Sequence, residues 1–193
     1  MQTFINEKQT IQLDKSIETI QIEIYWGRIK NLCGEDVDLD SELLILDKDG
    51  KVRCSSDFLF YNNTCSNDRS VLLLGDNIGG ANFDDSMQIA LSNLPDYVWK
   101  IVITASIYDA VTRRQSFEMV SDTNIRVIKT CNGTDKYDMP IAQFNYLNEL
   151  PDGDVVQLLE LIRGDGGWVI EKTVVGFHGG LEALCNNYGL FFD

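Results

Sequence analysis

Val71-Leu72-Leu73-Leu74-Gly75-Asp76-Asn77-Ile78-Gly79-Gly80-Ala81-Asn82-Phe83-Asp84-Asp85-Ser86-Met87-Gln88-Ile89-Ala90-Leu91 reads as a strand, an acidic loop and a second strand. The apolar run from Val71 stops at a glycine, and beyond the loop Met87, Ile89 and Leu91 alternate with Gln88 and Ala90, the period of a half-buried strand. Between them stand Asp76, Asn77, Asn82, Asp84 and Asp85, all hard oxygen donors. A flexible loop of such donors suits Ca²⁺, which accepts about six to eight oxygens at irregular angles. The same residue types also favour a solvated hairpin tip. The loop alone leaves both readings open.

The segments on either side repeat the strand pattern. Ile20, Ile22, Ile24 and Trp26 alternate with Gln21, Glu23 and Tyr25. In Asp36-Val37-Asp38-Leu39-Asp40-Ser41-Glu42-Leu43, a strand would put Asp36, Asp38, Asp40 and Glu42 on one face and Val37, Leu39, Ser41 and Leu43 on the other. Four acidic groups in one row repel each other unless a cation or deep solvation relieves them. The segment also resembles half of an EF-hand loop, but Ser41 occupies the position of the required glycine, and the alternation favours a strand. Asp47-Lys48-Asp49-Gly50-Lys51 reads as a hairpin turn. Asp57 to Asn63 reads as a short aromatic strand, Trp99 to Tyr108 as a β-branched central strand, and Asp109 to Glu118 as a loop carrying Arg113 and Arg114.

Further strands are predicted at Asn124 to Lys129, Met139 to Phe144, Val155 to Ile162 and Trp168 to Phe177. A short helix follows Gly179-Gly180, with Leu181, Leu184, Cys185 and Tyr188 at helical spacing. About nine or ten strands with turns at roughly 8–12-residue intervals predict an all-β fold, a β-sandwich with short helices. The expected organisation is a single domain over residues 1–193, with no linker and no internal repeat.

The chain carries 16 Lys plus Arg against 30 Asp plus Glu, a formal net charge of −14. Such a field repels nucleic acid and anionic lipid and attracts cations. No apolar run approaches the ~18 residues of a membrane span, and the first residues lack a signal-peptide pattern. The expectation is a cytoplasmic protein that neither binds nucleic acid nor inserts into a membrane. Its five cysteines, Cys33, Cys54, Cys65, Cys131 and Cys185, are scattered without a CxxC pair and read as reduced thiols.

Familiar catalytic signatures are missing. There is no nucleophile elbow, HExxH helix or phosphate-binding loop. The one histidine, His178, lies in a glycine turn and reads as structural. An acidic cluster can hold Mg²⁺ for phosphate hydrolysis, but such sites usually add basic residues, and none stands beside this loop in sequence.

Motifs in order along nearly the whole chain resemble the TerD-type tellurite-resistance and stress-protein family. They are Asp36-Val37-Asp38-Leu39-Asp40-Ser41, Gly50-Lys51-Val52, Asp57-Phe58-Leu59-Phe60-Tyr61-Asn62-Asn63, Gly75-Asp76-Asn77 followed by Asp84-Asp85, Leu94-Pro95, Ile107-Tyr108-Asp109-Ala110, Arg114-Gln115-Ser116-Phe117 and the closing Gly176-Phe177 with Gly179-Gly180-Leu181 and Tyr188-Gly189. The resemblance implies a β-sandwich with acidic calcium-binding loops at one end and a bacterial or phage-related stress role. It implies no established enzymatic activity, and work alongside protein partners of the same stress operon, membrane-bound ones among them. The implied cofactor is Ca²⁺, and the implied metal ligands are Asp38, Asp40, Asp76, Asn77, Asp84 and Asp85, with Asp36 and Asn62 as weaker candidates. The chain departs from the family pattern at Ser86, where a third acidic residue is usual. It departs again at Ala81-Asn82-Phe83, and at Trp26-Gly27-Arg28 in place of Gly-Trp-Asp. Two other readings follow from the same residues: a metal-free interaction module of this fold, and a metal-dependent hydrolase.

Overall fold

The computed structural model describes residues 9–27, 37–76, 83–130 and 139–192. The described strands are β1 (Thr10–Gln12), β2 (Ile20–Tyr25), β3 (Leu39–Leu46), β4 (Phe58–Leu59), β5 (Val71–Asp76), β6 (Asp85–Ile89), β7 (Lys100–Ile107), β8 (Thr123–Lys129), β9 (Met139–Tyr146), β10 (Val155–Gly164) and β11 (Gly167–Phe177). Two α-helices, α1 (Ala110–Arg113) and α2 (Gly180–Asn187), and three single-turn 3-10 helices complete the described set. The strands form a six-stranded sheet in the order β1-β11-β10-β7-β3-β4 and a five-stranded sheet in the order β5-β6-β2-β8-β9. All their pairings are antiparallel. The expected all-β fold is what the structure has. β1 is an addition to it, because three residues are too few to display a period. The aromatic strand expected from Asp57 shrinks to Phe58–Leu59, since the chain then turns back on itself at the Phe60–Asn63 bridge.

Strand alternation decides which residues meet between the sheets. Ile20, Ile22 and Ile24 of β2, Leu43 and Ile45 of β3, Met87 and Ile89 of β6, and Ile101 and Ile103 of β7 all point into one core and are essentially inaccessible. On the other face of β2, Glu23 stands opposite Arg126 of β8, and the two pair at 2.7 Å. The outer face of the six-stranded sheet is also buried at its centre. There Leu44, Leu46, Val102 and Val155 pack under Leu184 and Cys185 of α2. Asp154 holds the start of that helix by accepting the backbone N–H groups of Gly179 and Gly180 at 3.0 and 3.1 Å. A carboxylate there meets the positive end of the helix dipole and two of its unpaired N–H donors.

Antiparallel pairing gathers several strand ends at one end of the sandwich. The start of β3 lies beside the end of β7, with Leu39 opposite Ile107. The end of β5 lies beside the start of β6, with Asp76 opposite Asp85, and Ile24 of β2 is the next partner of Asp85. α1 follows directly on β7, flanked by Asp109 and Arg114 in left-handed conformation. The sequence reads this stretch as loop, and four residues are too short for a helical period to show.

Gly27, just past β2, is pressed against the chain after Phe117. A Cβ built there would lie 1.7 Å from the backbone oxygen of Ser121. Rotating a side chain cannot relieve a contact with backbone. Gly27→Ala is therefore expected to cost at least ~1–3 kcal/mol, the usual range for overpacking. Urea denaturation checks it, and an unchanged midpoint would mean that the two segments are not in contact.

Candidate metal centre

Two carboxylates are built into the end where Asp76 meets Asp85. Asp84 grips the end of β2 twice: its backbone N–H donates to the Ile24 carbonyl at 2.9 Å, and its Oδ2 accepts the backbone N–H of Trp26 at 2.7 Å. Asp85 shares the inward parity of Met87 and Ile89, and it is 6% exposed. Its Oδ2 accepts the Trp26 indole N–H at 2.9 Å and the Ser41 hydroxyl at 2.8 Å. The Trp26 ring is steadied in turn by Phe117, with centroids 6.5 Å apart. Ser41 belongs to β3 in the other sheet, so Asp85 is bonded across the sandwich.

The remaining expected ligands are placed as follows. Asp76 stands opposite Asp85 in the strand register. Asp38 is exposed, and its carbonyl accepts the Tyr108 N–H at 2.9 Å. Asp40 lies on the opposite face of β3 from Ser41, next to Glu42, as the alternation requires. Asn62 is exposed in a turn beyond β4. Asn77, Asn82 and Asp36 lie outside the described residues. Among the described residues, no three His, Cys, Asp or Glu side chains are grouped as a metal site. The structure thus brings Asp84 and Asp85 together under common orienting donors and puts Asp40 on the far face of the neighbouring strand. As a donor set these groups fit a hard cation: they are carboxylates at one end of a strongly acidic chain. An ionised carboxylate accepts about four interactions, so orienting hydrogen bonds and metal ligation are compatible on one group.

Glu42 has a role the sequence does not announce. It was expected in a row of solvated or cation-bound acids, yet it is 1% exposed. It accepts hydroxyl hydrogen bonds from Thr104 at 2.8 Å and Ser106 at 2.5 Å. Burial pushes its carboxyl up to about 8 against those two hydrogen bonds, and the charges of Asp40 and Asp85 push the same way. Glu42 is therefore largely protonated at neutral pH. Trp26 and Ser41 were also missed as site residues. A serine at an inward position between Leu39 and Leu43 is the signal that identifies Ser41, since a polar side chain facing a core needs a buried partner.

The other candidates fall away from this end or serve as structure. His178 is exposed, with Nε2 3.7 Å from Asp152. Arg113 lies over the Tyr108 ring at 5.2 Å. Cys54, Cys65 and Cys185 are free thiols, while Cys33 and Cys131 lie outside the described residues.

Glu42 sets a pH dependence whose sign is fixed. A carboxyl raised from its usual 4.5 to about 8 binds a proton in the folded chain that the unfolded chain has released. Its contribution is complete below the unfolded value and is lost as pH rises toward 8. In chelator, the parent should lose a few kcal/mol, on the order of the shift at ~1.4 kcal/mol per unit, between about pH 5 and 8. Glu42→Gln mimics the protonated acid and should flatten that decline. Parallel pH–stability curves for the two proteins would show that Glu42 is ionised in the fold.

Comparison with known proteins agrees with the fold and with the order of motifs. The TerD domain model matches residues 1–188. The tellurium resistance protein TerD of Serratia marcescens is 35% identical over 177 residues, covering 91% of this chain and 89% of that protein. General stress protein 16U of Bacillus subtilis (strain 168) is 29% identical over 187 residues, covering 94% of each. Among solved structures, a homologue of the telluride resistance protein TerD from Streptomyces coelicolor A3(2) superposes with a TM-score of 0.63 at 15% identity, covering 86% of this chain and 93% of that one. With the family model spanning nearly every residue and a relative above 30% identity along most of its length, the chain belongs to the TerD domain family of tellurium-resistance and stress proteins.

Proposed function

We propose that this protein is a calcium-binding stress-response component of the cytoplasm that acts by binding rather than by catalysis. One observation carries the reading: Asp84 and Asp85, consecutive at the sandwich end, each accept a hydrogen bond from Trp26, and Asp85 accepts a second from Ser41. Hydrogen bonds from an amide, an indole and a hydroxyl orient a carboxylate without cancelling its charge. Asp76, Asn77 and Asp38 would supply further oxygens from the neighbouring segments, whereas Asp40 on the far face of β3 stands apart from Asp85. The tellurium-resistance and general-stress names of its relatives support a role in stress protection. Proteins encoded with it in a stress operon, membrane-bound ones included, are the proposed partners.

A ligand that binds only the folded chain stabilises it by about 2.7 kcal/mol at a hundredfold excess over Kd. For a domain of this size the melting temperature should then rise by roughly 5–10 °C. Millimolar calcium should exceed magnesium in this, because magnesium holds its waters tightly and demands near-octahedral geometry. Sodium chloride at equal ionic strength should do much less, since screening is not coordination. Asp84→Ala with Asp85→Ala should abolish the calcium response. Identical melting of the parent in chelator and calcium would favour a metal-free interaction module. A magnesium shift as large as that of calcium would favour a metal-dependent hydrolase, to be pursued with a phosphatase panel.

A further inference from the structure

We infer that Trp26 and Ser41 are the positioning residues of the calcium centre, and that they link its occupancy to both sheets. The inference rests on the calcium reading above and extends it to two residues outside the ligand set. Both side chains converge on a single oxygen, Asp85 Oδ2, at 2.9 and 2.8 Å. They arrive from different sheets: Trp26 closes β2 of the five-stranded sheet, and Ser41 lies near the start of β3 in the six-stranded one.

Two donors on one oxygen fix the plane of a carboxylate as well as its position. Which way its other oxygen faces is then decided before any cation arrives. Trp26 adds a second constraint through its backbone N–H on Asp84, so one residue sets the relative orientation of two adjacent carboxylates. Orientation of this kind is what partners behind metal ligands contribute, and their loss typically weakens metal binding by about 10–100-fold. The indole is only partly exposed and packs on Phe117, which holds the donor in place. Because Asp85 is tied to β3 through Ser41, a cation on Asp85 pulls on the ends of both sheets at once.

The test is calcium titration by calorimetry, with melting curves in chelator and in calcium, on the parent, Trp26→Phe and Ser41→Ala. Trp26→Phe removes the indole donor and leaves the backbone donor to Asp84, so it isolates Asp85. The expected result is a calcium Kd raised about 10–100-fold in each variant. Calcium should also change the parent's tryptophan emission. That change should persist in Trp99→Phe, where the lost indole is 46% exposed and away from the site, and vanish in Trp26→Phe. Should Trp26→Phe fail to fold, Ser41→Ala carries the test alone. A residue with a merely structural role would lower melting equally in chelator and calcium and leave Kd unchanged, which would overturn the inference while the calcium reading stands. A parent that shows no calcium response overturns the calcium reading, and the inference with it.

Discussion

A carboxylate placed between two β-sheets is the constraint around which this end of the molecule is arranged. Asp85 takes an inward position that in the neighbouring pleats belongs to Met87 and Ile89. Leaving it there without partners would cost several kcal/mol, on the order of the penalty for an unsatisfied buried polar group and more for a charge. The fold meets this with two donors from different sheets, Trp26 just past β2 and Ser41 in β3. The consequence is long-range. β2, β3 and β6 cannot shift in register at this end without breaking a buried polar bond, so Asp85 specifies the alignment of two sheets that apolar packing alone leaves freer to slide.

The same economy governs the outer face of the six-stranded sheet. Under and beside α2, polar side chains are paired rather than avoided. Tyr188 donates to Gln157 Oε1 at 2.5 Å, Gln157 donates to Glu160 at 3.0 Å and to Thr173 at 3.2 Å, and Lys100 pairs with Glu160 at 2.8 Å. Glu42, Thr104 and Ser106 form a further set on the strands beside them. With α2 seated by Leu184 and Cys185 on one side and by Asp154 at its start, the centre of this sheet is covered on both faces. Burial from two sides explains the unbroken apolar runs Leu43-Leu44-Ile45-Leu46 of β3 and Ile101-Val102-Ile103 of β7, whereas β2 alternates.

What could be read from the sequence follows from how local each signal is. The alternation of Ile20, Ile22 and Ile24, the β-branched run of β7 and the glycine turn at Gly50 are all visible within a few residues, and the structure places each as the pattern requires. That Asp84 and Asp85 stand next to each other is equally local. The burial of Glu42 is not, because it depends on β7, whose Thr104 and Ser106 meet it, and nothing near Glu42 in sequence separates a covered acidic row from a solvated one. In sequence Trp26 looks like one more inward strand residue, since its indole reaches Asp85 only once β2 and β6 are paired. Strand order was likewise out of reach: β10 lies between β7 and β11, and only non-local contacts decide that.

The acids of this fold show three ways of managing charge, and the difference bears on function. Glu23 is met by a guanidinium, Arg126, which cancels its charge within the five-stranded sheet. Glu42 is met by two hydroxyls and keeps a proton, so its charge is suppressed. Asp84 and Asp85 accept hydrogen bonds from an amide, an indole and a hydroxyl, which fix the geometry of the two carboxylates. A proton on Glu42 also spares Asp85 a neighbouring anion, because two like charges close together disfavour each other's ionisation. Protonation of Glu42 on the outer side of β3 thus leaves Asp85, on the inner side, as the acid that the Trp26 and Ser41 donors orient. That geometry is assembled by residues of β3 and the end of β2, and a divalent cation at this end would meet an Asp85 carboxylate already set in place.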